Sequence, residues 1–116
     1  MTDPSKIRYA KIQESLEQCV TELNIKNKTV KVDWYIPIEF CHTKGTIAHG
    51  GTVSFILDAS MFFVVDLIHR GFTTGLTLGL NIQYLNPCQP GKVSTEASIL
   101  REGKNFAFTE CRLIQD

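Results

Sequence analysis

Gly45-Thr46-Ile47-Ala48-His49-Gly50-Gly51-Thr52-Val53-Ser54-Phe55-Ile56-Leu57-Asp58 is the stretch on which the fold turns. A His-Gly-Gly turn opens an apolar run that continues through Met61, Phe62, Phe63, Val64, Val65, Leu67 and Ile68. These positions go nearly all the way round a helix, so the run reads as one long helix from about Gly51 to Arg70, wrapped on most sides. Asp66 and Arg70 stand four apart and mark its narrow wet stripe, and Gly71 reads as its stop. Glycines at a helix start leave backbone N–H groups open to a ligand oxygen. Two turns in sits Asp58, a carboxylate in apolar surroundings, which is costly unless it is paired or used. Together they point to a site that polarises a carbonyl and attacks it.

Working outward, Val30, Val32, Trp34, Ile36, Ile38 and Phe40 alternate with mostly polar neighbours, which predicts a strand over Val30–Phe40 with an edge or bulge at Pro37. Asp3-Pro4 reads as a helix start, and Ile7, Ala10, Leu16, Cys19, Val20 and Leu23 carry that amphipathic helix to about Asn24. After the long helix, Leu76, Leu78, Leu80, Ile82 and Tyr84 alternate as a strand. Lys92–Arg101 and Asn105–Ile114 then read as a hairpin about Glu102-Gly103-Lys104. The order helix, strand, long helix, three strands predicts an α+β fold, an antiparallel sheet curled around the central helix, with an extra N-terminal helix.

At 116 residues the chain is read as a single domain over 1–116. Twelve basic residues balance twelve acidic ones, so nothing favours nucleic acid or an anionic membrane surface. The cysteines, Cys19, Cys41, Cys88 and Cys111, form no Cys-x-x-Cys pair. This argues against zinc and against a disulfide framework, and fits reduced thiols in a cytoplasm-like compartment. The N-terminus lacks a signal peptide's apolar core. The uninterrupted apolar stretch Met61–Val65 is too short to span a bilayer.

From about Val30 onward the chain resembles the hotdog-fold acyl-CoA thioesterases of the 4-hydroxybenzoyl-CoA and phenylacetic-acid-pathway type. The matching features are His49-Gly50-Gly51, then Asp58, then Thr77 within Leu-Thr-Leu-Gly-Leu-Asn-Ile-Gln-Tyr-Leu-Asn-Pro, with Gly91 and the Gly103-Lys104 turn. The resemblance implies a homodimer or homotetramer that hydrolyses an acyl- or aryl-CoA without metal or other cofactor, coenzyme A being part of the substrate. It implies that the Gly50 N–H polarises the thioester carbonyl and that Asp58 is base or nucleophile. Thr77 would help hold the acid or its water, and His49 belongs to the motif in a structural role. Two departures stand out. Thr43, followed by Lys44, occupies a loop position where many relatives carry Asn. The sequence given also stops where the family's last strand would begin, between the hairpin and the strand after the helix.

Spacing supports a shared site independently. Eight residues of helix span roughly 12 Å, whereas a reacting carbonyl should lie roughly 3 Å from both donor and attacking group. Two helices side by side about a two-fold axis would bring Gly50 of one copy to Asp58 of the other. Gly51 and Phe62 are candidate lining residues, Phe62 one turn on from Asp58, where it shields the acid from water. Arg101 and Lys104 at the hairpin are candidates for coenzyme A phosphates. The bland alternatives are a buried ion pair for Asp58, a merely tight turn at Gly50-Gly51 and a plain β-former at Thr77. A His42–His49 metal pair lacks a third ligand, and a Cys41–His42 nucleophile pair would point apart. The rival functions are a catalytically inactive acyl-CoA-binding or interaction module and a hotdog dehydratase or hydratase, whose acid–histidine pairing is not seen.

Overall fold

The computed structural model describes residue 12, residues 14–71 and residues 75–116. The described residues form six strands: β1 (Cys19–Asn24), β2 (Thr29–Ile36), β3 (Cys41–His42), β4 (Ile47–Ala48), β5 (Gly91–Glu102) and β6 (Ala107–Ile114). One long helix, α1, spans Gly50–Ile68. An antiparallel sheet of order β1-β2-β5-β6 packs one face on α1, and β3 and β4 make a separate small hairpin before the helix. This is the sheet-around-helix arrangement expected from the apolar run.

Period-two alternation decides the sheet. In β2, Val30, Val32, Trp34 and Ile36 are buried while Lys31, Asp33 and Tyr35 face water. In β5, Val93, Thr95, Ala97 and Ile99 occupy the same inner face. The strand expected over Val30–Phe40 ends at Ile36, because Pro37 has no N–H to continue the ladder and Ile38–Phe40 turn as a 3-10 segment. The hairpin expected at the C-terminal end is present as β5–β6, with a register shift between Ile99 and Arg101.

The N-terminal helix needs correction. Its proposed start at Asp3-Pro4, with Ile7 and Ala10, lies outside the described residues. Ile12, Glu14 and Ser15 are helical, but Cys19–Asn24 is a strand paired with β2. Glu17 adopts a left-handed backbone that ends the helical path. A turn held by the Asn27 N–H on the Asn24 side chain then returns the chain into β2. The run Cys-Val-Thr-Glu-Leu fits helix and strand spacing alike, and pairing with β2 settles the matter.

Helix α1 buries Val53, Ile56, Leu57, Ala59, Ser60, Phe63 and Val64. Its one buried polar anchor is shared with the sheet. Ser60 donates to the Ile56 carbonyl and meets the Thr95 hydroxyl at 2.7 Å, and the Trp34 indole N–H donates to Thr95 Oγ1 at 3.0 Å. The helix closes one residue earlier than Gly71 implied. Arg70 is left-handed as well as Gly71, the Arg70 N–H reaches the Leu67 carbonyl, and the Gly71 N–H reaches the Asp66 carbonyl, which is a Schellman closure.

A second correction concerns residues 75–85. They are not a ladder-paired strand in this chain, and Leu76 and Leu78 are 84% and 74% exposed. Alternation predicts which side chains would share a face, but a strand also needs a neighbouring backbone, and no described strand pairs with this segment. The helix is likewise less enclosed than its composition implied. Only 39% of an 18-residue stretch of α1 is buried by this chain, and the whole helix is long and apolar enough to cross a membrane by length and composition. A core helix meets the same criteria, and this one carries its buried side chains against the sheet.

Replacing Thr95 by Val strands the buried Trp34 N–H. The expected cost is about 1–3 kcal/mol in urea unfolding, and an unchanged midpoint would contradict the role given to this hydroxyl.

Candidate active site

The helix start is built from backbone. His49 precedes α1 in an extended conformation (φ −58, ψ 138), and its side chain makes no cap. Its N–H bonds to the Phe40 carbonyl, and its own carbonyl accepts the Thr52 and Val53 N–H groups. Among the described residues the Gly50 and Gly51 N–H groups have no partner. Neither glycine adopts a left-handed conformation. A Cβ added at Gly51 would meet nothing within 4 Å, and one at Gly50 would make ordinary contact with the Tyr84 hydroxyl at 3.5 Å. Glycine costs a helix stability relative to alanine, yet none of the described residues requires it at these two positions. The absence of side chains leaves room for close approach to the end of α1, whose dipole favours negative charge.

Asp58 is partly buried on the open side of α1, beside Leu57, Met61, Phe62 and Val65. The Thr77 hydroxyl donates to its Oδ1 at 2.7 Å. Among the described residues no cation lies within ion-pair distance of Asp58, so the buried-salt-bridge alternative finds no support there. A neutral donor on one oxygen leaves the other free for a proton or a carbonyl carbon.

Residues 75–85 are fastened to the helix at two points. Thr77 holds Asp58, and the Tyr84 hydroxyl donates to the Gly50 carbonyl at 2.8 Å. Gly75 passes so close to Phe62 that a Cβ would lie 3.0 Å from its ring. Tyr84 and Gly75 escaped the sequence reading. Tyr84 appeared only as one step of an alternation, and no spacing rule ties it to Gly50.

The other candidates are dispersed. Phe62 lines the cleft one turn beyond Asp58, and Lys104 lines it at the β5–β6 turn, whereas Arg101 is exposed outside the lining. Between them Glu102 bonds His69 at 2.7 Å and Lys28 at 3.6 Å, and the His69 hydrogen bond above all holds its carboxyl below the usual range. The His42 and His49 rings lie 5.1 Å apart, but no group of three or more metal-binding side chains occurs among the described residues. Burial, then Glu39, pushes the Cys41 thiol up, and burial pushes Cys111 up to about 12, so both are poor nucleophiles. Thr43 and Lys44 are both left-handed, at a cost of roughly 1–2 kcal/mol each. Asn adopts that region more readily than Thr.

Gly50 and Asp58 stand on one unbroken helix, eight residues and roughly 12 Å apart along its axis. One copy thus presents a backbone donor at one end and a carboxylate two turns away. Gly51→Ala is expected to raise stability in thermal unfolding by a few tenths to about 1 kcal/mol. A loss of stability would mean that the fold itself needs this glycine.

Residues 41–116 match the family model of the acyl-CoA thioesterase N-terminal domain. No curated protein matches the chain by sequence. Among solved structures, a phenylacetic acid degradation-related protein from Ralstonia eutropha JMP134 is similar at 22% identity and a TM-score of 0.84, over 100% of this chain and 83% of that one. Thioesterase superfamily member 2 from Mus musculus aligns at 19% identity and a TM-score of 0.72, over 95% and 77% of the two chains. A mutant of the phenylacetic acid degradation protein of Thermus thermophilus aligns at 19% and 0.71, over 90% and 85%. These identities speak for the fold alone, while the family match spans well over half of the 116 residues. The chain belongs to the acyl-CoA thioesterase N-terminal-domain family and has the hotdog fold.

Proposed function

We propose that this protein hydrolyses the thioester bond of an acyl- or aryl-CoA at a site shared between two copies of the chain. The observation that carries the reading is the Asp58 carboxylate, held through one oxygen by Thr77 on the same helix whose first N–H groups are open. In the proposed site the Gly50 N–H of one copy donates to the thioester carbonyl oxygen. As negative charge builds on that oxygen, a donor already in place meets it without reorganisation, a contribution on the order of 3 kcal/mol. Asp58 of the other copy either takes a proton from a water that attacks the carbonyl carbon, or attacks that carbon itself to give an anhydride that water then opens. Both routes release the coenzyme A thiol and the free acid. Met61, Phe62 and Val65 form an apolar wall for the acyl group, and Lys104 at the cleft mouth suits a coenzyme A phosphate.

A second reading, a hotdog module that binds acyl-CoA without turnover, is favoured by the strained Thr43-Lys44 loop. The two readings separate in one assay of thiol release over a panel of acyl-CoAs. Hydrolysis predicts that Asp58→Asn lowers kcat by about 10²–10⁴ and that Thr77→Ala lowers it by roughly tenfold. An Asp58→Asn protein as fast as wild type would overturn the assignment. Absence of turnover in wild type, with acyl-CoA binding that survives Asp58→Ala, would establish the binding module instead.

A further inference from the structure

We infer that Tyr84 is a positioning residue of the proposed site: its hydroxyl fixes and polarises the peptide between Gly50 and Gly51, so that the Gly51 N–H joins the Gly50 N–H in holding the substrate carbonyl oxygen. The inference rests on the hydrolytic reading of the helix start and adds a residue to it. The Tyr84 hydroxyl donates to the Gly50 carbonyl at 2.8 Å. That carbonyl belongs to the same planar unit as the Gly51 N–H. A hydrogen bond to the oxygen draws electron density from the nitrogen, and the N–H becomes a stronger donor. Such cooperative strengthening is on the order of 10–30% per bond. The Gly50 N–H is served in the same way from within the helix, because the His49 carbonyl on its peptide accepts both the Thr52 and the Val53 N–H. Behind each open N–H there is thus a carbonyl that receives a donor.

Packing does not account for the Tyr84 contact. The residue is 56% exposed, so its ring buries little, and a phenol there could bond to water equally well. The helix start, by contrast, needs a brace. Glycine has the freest backbone of all residues, two stand in succession, and His49 before them supplies no side-chain cap. Within the helix, Ser54 ties down the Gly51 carbonyl. From outside it, among the described residues, Tyr84 is the side chain that bonds to either glycine. A donor stabilises a developing oxyanion most when it is already in place as the charge appears. Tyr84 therefore serves the donor end of α1 as Thr77 serves the acid.

The test is Tyr84→Phe, which keeps the ring and removes one oxygen. Thiol release from hexanoyl-CoA and benzoyl-CoA is measured beside infrared spectra of their bound ketone analogues, in which a methylene replaces the sulfur and the carbonyl carries carbon-13. The variant is expected to lose roughly three- to tenfold in kcat, with KM and the thermal midpoint unchanged. The carbonyl band, lowered by the donors in wild type, is expected to move back towards its position in water. An unmoved band overturns the inference whatever kcat does, since a tyrosine that merely braced the fold would leave the carbonyl untouched. A raised KM with kcat unchanged places Tyr84 in substrate binding and overturns it as well. Wild-type protein that releases no thiol overturns the hydrolytic reading instead. The band then decides for Tyr84 alone: a shift in the variant sustains its role at the carbonyl, and an unmoved or absent band ends it.

Discussion

A helix cannot be shortened, and the chemistry proposed for this protein depends on that. Gly50 and Asp58 ride on the same rod, with roughly two turns between the open N–H and the carboxylate. The rod is kept straight and in place by its surroundings. The sheet packs along one side, the Ser60–Thr95–Trp34 bonds fix its middle, and the Schellman closure at Arg70-Gly71 ends it. Residues 75–85 then lie against the open side, touching the donor end through Tyr84 and the acid through Thr77. In the proposed reaction the substrate carbonyl therefore meets the two groups on different helices.

The parts of the molecule that lack a reason within one chain tell the same story. Gly50 and Gly51 are free of backbone strain and of close neighbours that a methyl group would strike, yet both are glycine. The helix is apolar on faces that this chain leaves uncovered. Strain sits in the Thr43-Lys44 loop next to the His42–His49 ring contact, close to the helix start. Each feature costs stability in isolation and becomes economical once a second surface or a ligand closes on the helix.

Much of this was legible in the sequence, because period-two and near-continuous apolar patterns are direct records of burial. The alternation in β2 and β5 and the run from Val53 to Ile68 placed the sheet and helix within a few residues. What could not be read depends on partners distant in sequence. Cys19–Asn24 suits either periodicity until β2 lies beside it. Leu76–Tyr84 alternates like a strand, but no described strand pairs with it. At the candidate site, the family resemblance put Asp58 and Thr77 forward, and a hydrogen bond joins the two side chains. The contact of Tyr84 with Gly50 spans 34 residues through a backbone carbonyl, which no side-chain pattern encodes.

The shared site is most directly tested by subunit complementation. Gly50→Pro deletes one N–H at the first helical position, where proline is tolerated, and the extended backbone of His49 suits a following proline. Gly50→Pro and Asp58→Asn proteins, each inactive alone, are unfolded together, refolded and assayed for thiol release. A site built from two chains predicts recovery of roughly a quarter of wild-type activity, since half the dimers are mixed and each holds one intact site. No recovery, in mixtures shown to contain mixed dimers, would place donor and acid in the same protomer and contradict the account.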